Sequence, residues 1–307
     1  ATVAWTQPGP PAEGRWTYAV AGARWSRAGG WTATGPVWPA PGAPGVAERL
    51  ALAGNASGSA TAVWSAVDPA GTRSLIASTY APAPPAWSTP VRVDADDAPA
   101  TTPVALVGGR FRAQVVWAAP GAPGAPARIV RRRVNAAGIW PIETVAPLAP
   151  STAPPMNVQA ATAGGWDVVT WVEGASGRYR LRAAMSAVGR TAGRLRVRTV
   201  ARGDIGEHAT AVSRTGVAFV AWGRQASSRP PTASTALLRP SWSAWQRGAV
   251  GFPIAGAADA RDLASGPFLL DLLVSSRGTP LFAAGVGLPG CTVTSCPSGN
   301  LGVFVVR

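Results

Sequence analysis

The chain offers few side chains for acid–base or nucleophilic chemistry. His208 is its only histidine, which disfavours both a metal site built on several histidines and a Ser-His-Asp triad. A glycosidase needs two carboxylates flanking the scissile bond, and no motif singles out such a pair here. The sequence therefore predicts no catalytic residue, no metal site and no cofactor, and it favours a protein that is not an enzyme. The available carboxylates are spread over the chain: Glu48, Glu143, Asp167, Glu173 and Asp204.

Tryptophan dominates the aromatic residues, with 14 Trp against 6 Phe and 3 Tyr. An exposed indole presents a large flat apolar surface on which a sugar ring can stack. Packing within an irregular first repeat unit is the alternative role for tryptophans that lie outside the repeat anchors described below. The candidate glycan contacts among them are Trp16, Trp25, Trp38, Trp166 and Trp242.

Three polar residues are further candidates for contacting a ligand, because they hold comparable positions in different repeat units. They are Arg49, His208 and Arg261, each expected in the first strand of its unit. A ring of such residues either binds a ligand or forms the solvated lining of a narrow central channel.

The charge of the chain is strongly positive. All 28 basic residues are arginine, against 14 acidic residues, which gives a formal net charge of +14 and an isoelectric point of about 11.6. The absence of lysine is typical of a GC-rich bacterial genome, so the choice of arginine need not be functional. The sign of the charge favours polyanionic partners, such as an acidic polysaccharide or an anionic wall polymer.

Two groups of alternating arginines are candidates for an anion-binding face. The alternative is that charges on the outer strand of a sheet block edge-to-edge pairing with another chain. Nucleic acid is not expected as the ligand, because base-stacking aromatic residues are not interleaved with the arginines. The two groups are Arg178, Arg180 and Arg182, and Arg194, Arg196 and Arg198.

The two cysteines, Cys291 and Cys296, enclose four residues in a segment rich in Pro and Gly. A metal site would need further Cys or His ligands nearby, and the spacing is not the CxxC of redox proteins. A loop-closing disulfide is predicted, which indicates an oxidising compartment. With neither a basic n-region nor an apolar h-region after Ala1, we expect a secreted or cell-surface protein whose signal peptide has been removed. No apolar stretch reaches the roughly 18 residues of a membrane span, so no transmembrane segment is expected.

A repeat organises the whole chain. Trp64, Trp117, Trp171 and Trp222 follow one another at intervals of 53, 54 and 51 residues, each at the end of an apolar run. Trp5 precedes this series and Leu272 continues it. A second Trp follows 23 residues after the first in three copies, at Trp87, Trp140 and Trp245, and a Gly stands six residues before the first anchor in four copies. Alternation of apolar and polar residues around these anchors predicts four short antiparallel strands in each unit.

Four antiparallel strands in about 50 residues is the content of one propeller blade. We therefore predict one domain, residues 1–307, that forms a six-bladed β-propeller with four-stranded antiparallel blades. Large indoles at the anchors are expected in the core, including Trp5 and Trp31 of the first unit. Trp5 occupies the second-strand position, so we expect the chain termini to pair and close the ring. The predicted units are residues 1–42, 43–97, 98–150, 151–203, 204–256 and 257–307.

The repeat resembles one that is common in secreted actinobacterial proteins of poorly defined function. The matching segments in the second unit are Ala60–Ser65, Leu75–Thr79 and Trp87–Val91. The resemblance covers nearly the whole chain and is specific for a blade, while it specifies no function. The fourth unit departs from it with Leu195 at the second anchor, and the sixth unit has no Trp.

These observations favour a non-enzymatic extracellular propeller used for recognition or as a scaffold. Its expected ligand is a glycan or polyanionic surface polymer, or a protein partner. Two alternatives stay open: a subunit of a larger surface or secreted assembly, and a propeller-type carbohydrate-active enzyme. The second rests on fold-level analogy and on the scattered carboxylates.

Overall fold

In a computed structural model of the protein, the chain divides into two compact units, residues 1–150 and 151–307. The described residues of the first unit are 2–8, 18–38, 46–54, 58–67, 73–95, 105–108, 113–121, 125–135 and 138–148. Those of the second unit are 156–174, 178–187, 196–203, 205, 208–223, 232–239, 245–251, 268–274, 280–286 and 302–306. Every regular element described in them is a β-strand.

The first unit begins with a sheet made of two antiparallel groups. The first group is β1 (Thr2–Pro8), β2 (Tyr18–Ser26) and β3 (Gly30–Trp38). The second is β4 (Val46–Gly54), β5 (Ala60–Val67), β6 (Arg73–Pro82), β7 (Pro85–Trp87) and β8 (Val91–Arg92). One parallel bridge, between Tyr18 and Val46, joins the two groups.

The next sheet completes the strands described in the first unit. It contains β9 (Ala105–Gly108), β10 (Ala113–Ala119), β11 (Arg128–Asn135), β12 (Gly138–Ile139) and β13 (Glu143–Pro147). All of its pairings are antiparallel.

The second unit contains two four-stranded sheets and one three-stranded sheet, all antiparallel among the described residues. The first consists of β14 (Met156–Ala163), β15 (Trp166–Glu173), β16 (Tyr179–Ala187) and β17 (Arg196–Gly203). The second consists of β18 (His208–Val212), β19 (Ala218–Gly223), β20 (Thr232–Leu238) and β21 (Gln246–Gly251). The third consists of β22 (Phe268–Val274), β23 (Pro280–Val286) and β24 (Gly302–Val306).

In two sheets of the second unit, the Gly six residues before the anchor Trp lies in the turn between the first two strands, as the sequence predicts. Gly165 lies in the turn between β14 and β15 with a φ of 78°, and Gly216 lies between β18 and β19 with a φ of 80°. Positive φ values of this size are readily adopted by glycine alone, since it has no Cβ. The recurring Gly before the first anchor is therefore a requirement of these tight hairpins.

The core lies between consecutive sheets of each unit. Trp64, Trp117 and Trp171 are fully buried, and Trp222 is 3% exposed, which confirms the core role of these four anchors. In the first unit Trp117 packs with Val63 of the preceding sheet. In the second unit Trp222 packs in the same way with residues of β15 and β16.

The structure confirms an all-β fold of antiparallel sheets and shows neither six separate blades nor a closed ring. The described strands form five sheets, because the bridge at Tyr18 merges the first two predicted units. The C-terminal β24 pairs with β23 inside its own sheet. Among the described residues, no helix is long and apolar enough to cross a membrane.

Candidate functional site

Three tryptophans lie on one side of the β1–β2–β3 group. Trp5 is directly opposite Ala21, and Trp25 is directly opposite Trp31. Paired residues of antiparallel strands point to the same side, and Ala21 shares that side with Trp25 because they are four residues apart. Trp5, Trp25 and Trp31 are 41%, 45% and 57% exposed. This surface, the indole face, therefore presents three large aromatic side chains to solvent.

Alanines form the floor between the indoles. Ala23 and Ala33 are an opposed pair on the same side, two residues from the Trp25–Trp31 pair. Along β2 the four residues from Trp25 to the level of Trp5 span about 13 Å. A strip of this length has indoles at both ends and alanines between them.

The opposite side of the same strands belongs to the hydrophobic core. Val20 is fully buried there, and Trp87 of β7 donates a 2.9 Å hydrogen bond from its Nε1 to Thr34 Oγ1. A Cβ atom on Gly22 would lie 2.9 Å from Thr34 Oγ1 and 3.0 Å from the Trp87 nitrogen, so this approach requires glycine. Packing on this side fixes the three strands that carry the indole face.

Trp25 is the predicted glycan contact that the structure places on the indole face. The prediction that Trp5 and Trp31 are core residues is wrong. Each of these two indoles is more than 40% exposed, so neither is a core side chain.

The other predicted tryptophan contacts are not brought to this face. Trp166 starts β15 and is partly buried in a hydrophobic cluster with Val168, so its role there is packing. Trp38 ends β3, and its side chain is outside the described part of the structure. Trp16 and Trp242 lie outside the described residues.

His208 is a buried residue at the start of β18. Its Nε2 is 2.9 Å from Oγ1 of Thr170 on β15, and Thr170 Oγ1 is 2.5 Å from Oγ1 of Thr210. No described group forms a hydrogen bond with His208 Nδ1. Burial lowers the pKa of His208 from 6.5 to about 4, against a smaller opposing effect of the Thr170 backbone. The residue is therefore neutral at pH 7 and ties two consecutive sheets together.

The remaining predictions of this kind are not tested by the structure. Arg49 lies on β4 with its side chain outside the described part, and Arg261 lies outside the described residues. Cys291 and Cys296 also lie outside the described residues. The polar ring and the disulfide stay predictions.

The two arginine groups do not form one surface. Arg180 and Arg182 share a side of β16, and Arg182 is opposite Thr199. Arg198 is opposite Ala183, which places it on the other side of the same sheet. Arg196 holds the next register position on that other side, opposite Met185, and Arg194 lies outside the described residues.

Sequence reasoning missed Arg202, which is directly opposite Arg180. Simple alternation along β17 groups Arg202 with Arg198. An irregularity in the pairing between Leu181 and Arg182 inserts one extra residue in β17 and moves Arg202 to the side of Arg180. Arg178, Arg180 and Arg202 are exposed, and we call these three residues the arginine cluster.

A buried carboxylate lies next to the arginine cluster. Glu173 is opposite Arg180 and is 7% exposed. Its Oε2 accepts a 3.4 Å hydrogen bond from the Nε1 of Trp171. Its Oε1 is 3.3 Å from Arg182 Nε, an ion pair whose angle is outside hydrogen-bond geometry. Since Arg182 also donates a 2.7 Å hydrogen bond to Thr199 Oγ1, its charge is used inside the sheet.

Metal binding finds no support in the part of the chain that the structure describes. No group of three or more His, Cys, Asp or Glu side chains there could hold a metal ion. What the described residues do offer is an aromatic surface in the first unit and a basic surface in the second.

No protein-family model and no curated protein matches the chain. Among solved structures, a protein of unknown function from Dyadobacter fermentans DSM 18053 matches with a TM-score of 0.56 and 12% identity, over 98% of this chain and 89% of that one. A thermostable family-43 glycoside hydrolase matches with a TM-score of 0.43 and 12% identity, over 84% and 88% of the two chains. An endo-arabinase from Bacteroides thetaiotaomicron VPI-5482 matches with a TM-score of 0.41 and 10% identity, over 78% and 87%. The first similarity shows a shared fold, and it shows nothing of the activity.

The prediction that the protein is not an enzyme is corrected by these similarities. Structures that match the chain include ones named as a glycoside hydrolase and an endo-arabinase. The lack of a recognisable catalytic motif in the sequence is therefore no ground for excluding an activity.

Proposed function

We propose that the protein is a propeller-type carbohydrate-active enzyme whose indole face holds a polysaccharide substrate. The observation that supports this function is the placement of Trp5, Trp25 and Trp31 on one solvent-facing side of a sheet. The all-β fold supplies the rigid frame for that surface.

Exposed tryptophans on one surface need an explanation, because each indole has about 150–250 Å² of surface to bury. Contiguous exposed apolar surface marks a site for a ligand or a partner more often than a random feature of a soluble protein. The C–H groups of a sugar ring form a flat apolar face that packs against an indole, while the hydroxyl groups at the ring edge stay in water. The alanine floor leaves room for such rings between the indoles.

Binding of a neutral polysaccharide panel to Trp25→Ala and Trp31→Ala tests this proposal. Each substitution removes one stacking surface, so we expect a loss of affinity of about tenfold, equivalent to roughly 1.4 kcal/mol. Quenching or a shift of tryptophan fluorescence on binding reports the contact. The same panel is assayed for new reducing ends, which reports turnover.

Thr32→Ala is the matched control, because Thr32 is exposed on the same strand but opposite Arg24, on the other side of the sheet. This variant should bind as the wild type does. Unchanged affinity in both tryptophan variants would overturn the proposed role of the indole face. Loss of folding in Trp31→Ala would show that this indole is required for the fold and would also overturn the proposed role.

We also propose that the six predicted units are six blades of a ring closed through its termini. Strand bounds support this architecture, because the strands of each predicted unit pair with one another in one antiparallel group. Deleting residues 301–307 removes β24 and should abolish cooperative thermal unfolding. A melting curve that stays the same would contradict closure. An extracellular location, which the sequence analysis predicts, is part of the same proposal.

A further inference from the structure

We infer that the arginine cluster is an anion-binding site and that the polysaccharide it contacts carries carboxylate or sulfate groups. This inference deepens the proposed function, on which it rests for the polysaccharide nature of the ligand. The site consists of Arg178, Arg180 and Arg202, at the end of the sheet β14–β17.

The register places two like charges side by side. Arg180 on β16 and Arg202 on β17 are directly opposite each other, and Arg178 lies just before β16. Like charges at directly opposed positions destabilise an antiparallel pair. An anion bound between the two guanidinium groups removes that repulsion, so this arrangement suits a bound state with negative charge.

The carboxylate that is directly opposite Arg180 forms its ion pair with another arginine. Glu173 is opposite Arg180 on the other neighbouring strand, yet its two oxygens contact Trp171 and Arg182. Among the described residues, no carboxylate forms an ion pair with Arg178, Arg180 or Arg202. Three exposed positive charges therefore face solvent together while the buried carboxylate is already paired.

The arginines of the cluster are exposed, whereas other arginines form ion pairs or hydrogen bonds inside the sheets. In the first unit Arg131 is 1% exposed and lies 2.9 Å from Glu143 through Nε and through Nη2, which makes it a core ion pair. Arg132 donates a 2.6 Å hydrogen bond from Nη1 to the carbonyl of Val93. Arg131, Arg132 and Arg182 thus serve packing, whereas the three arginines of the cluster are exposed and adjacent to one another.

The guanidinium groups of the cluster favour ligands that carry carboxylate or sulfate groups. A guanidinium group offers a planar fork of N–H donors that matches the oxygens of a carboxylate or sulfate, and paired forks add specificity to charge. Binding through exposed charges weakens as salt rises, because the Debye length falls. An acidic polysaccharide presents such groups repeatedly along its chain, which suits the +14 net charge of the protein.

The test compares Arg180→Gln/Arg202→Gln with wild type on three polymers: polygalacturonate for carboxylates, dextran sulfate for sulfates, and neutral dextran. Affinity is measured by isothermal titration at low and at physiological salt. We expect the double variant to lose at least tenfold in affinity for one or both acidic polymers, and to bind neutral dextran as the wild type does. Which acidic polymer responds identifies the anionic group.

Arg73→Gln/Arg214→Gln is the matched control, because it removes the same charge at two exposed positions outside the cluster. If both double variants lose the same affinity for the acidic polymers, the loss depends only on net charge, and the proposed site is overturned. Unchanged acidic-polymer binding in Arg180→Gln/Arg202→Gln would overturn it as well. Arg180→Lys/Arg202→Lys keeps the positive charge and removes the planar N–H donors of the guanidinium groups. Its affinity for the acidic polymers should therefore lie between those of the wild type and the Gln variant.

The two proposals fail in distinguishable ways. If tryptophan substitutions on the indole face change nothing while the arginine variant still loses acidic-polymer binding, the proposed function of the indole face fails and the anion site stands. If neutral and acidic polymers both bind and only the tryptophan variants lose affinity, the anion site fails.

Discussion

The first two strand groups carry the same aromatic pattern in opposite environments. In the first group Trp5, Trp25 and Trp31 share one side, with Trp25 and Trp31 directly paired. In the second group Trp64 shares a side with the directly paired Tyr80 and Trp87. Trp64 is fully buried and Tyr80 is 1% exposed, whereas Trp5, Trp25 and Trp31 are 41–57% exposed.

The neighbouring sheet explains this difference. The aromatic side of the second group packs against the first group, where the ring of Trp87 reaches Thr34 and Trp64 joins a cluster with Val20 and Val37. Tyr80 and Trp87 also contact each other, with ring centroids 5.4 Å apart. The repeat fixes where an aromatic residue stands on its strand, and the sheet packed against it decides whether that residue is core or surface.

The largest expected loss of stability comes from substituting the buried Trp64. Trp64→Ala should lower the free energy of unfolding by about 3–5 kcal/mol, because it leaves a cavity between the two strand groups. Trp31→Ala should lower it by about 0.5 kcal/mol, as is usual for an exposed position. Chemical denaturation of both variants measures the difference. Equal losses would show that the indole face is covered by protein in solution.

In the second unit, His208 of β18 contacts Thr170 of the preceding sheet, and this buried contact should make stability depend on pH. The pKa of His208 is about 4 in the folded protein, against 6.5 for a histidine in a short unstructured peptide, so the unfolded state takes up the proton first as pH falls. The contribution of His208 to the free energy of unfolding is therefore constant above pH 6.5. It should fall by about 3 kcal/mol as the pH drops toward 4.

The control for this prediction is His208→Gln, which cannot titrate. Subtracting its stability-versus-pH curve from that of the wild type removes the contribution of carboxylates. Thr170 contacts the ring, Thr210 contacts Thr170, and Trp222 is opposite His208 on β19; none of these side chains titrates in this range. A flat difference curve between pH 6.5 and 4 would contradict the buried neutral state.

A smaller loss of stability than for Trp64→Ala or for acid titration of His208 is expected at Gly22, where β2 approaches Trp87 closely. Gly22→Ala places a Cβ within 3.0 Å of Thr34 Oγ1 and the Trp87 nitrogen, so we expect a loss of about 1–3 kcal/mol from overpacking. Ala33→Ser changes a residue of similar size on the exposed side of the same sheet and should be nearly neutral. The thermal midpoints of the two variants separate these cases, and a neutral Gly22→Ala would show that Trp87 can move away.

Much of the fold followed from local patterns. The four Trp anchors predicted to be core are buried, since each lies inside a central strand whose small apolar neighbours allow close packing. Gly165 and Gly216 were predicted as turn residues and have the positive φ that their hairpins need. The candidate site was predicted less well, because Trp25 was found but Trp5 and Trp31 were assigned to the core.

The arginines show why site prediction failed where fold prediction worked. Alternation placed Arg196 and Arg198 with Arg180 and Arg182 on one face, and it gave no role to Arg202. One extra residue in β17 reverses the sides along that strand, and the sequence carries no sign of where such an irregularity falls.

The sequence by itself determined the all-β architecture, the length of the repeat, the anchor tryptophans and the positive charge. Each of these depends on residue types and on periods of two along the chain, which act locally. Tertiary structure alone decided that the aromatic side of the first strand group is exposed, that the side chain of His208 is buried and neutral, and that Arg180 and Arg202 are directly opposite each other. Burial and charge pairing depend on residues brought together from distant parts of the chain, so no local pattern can specify them.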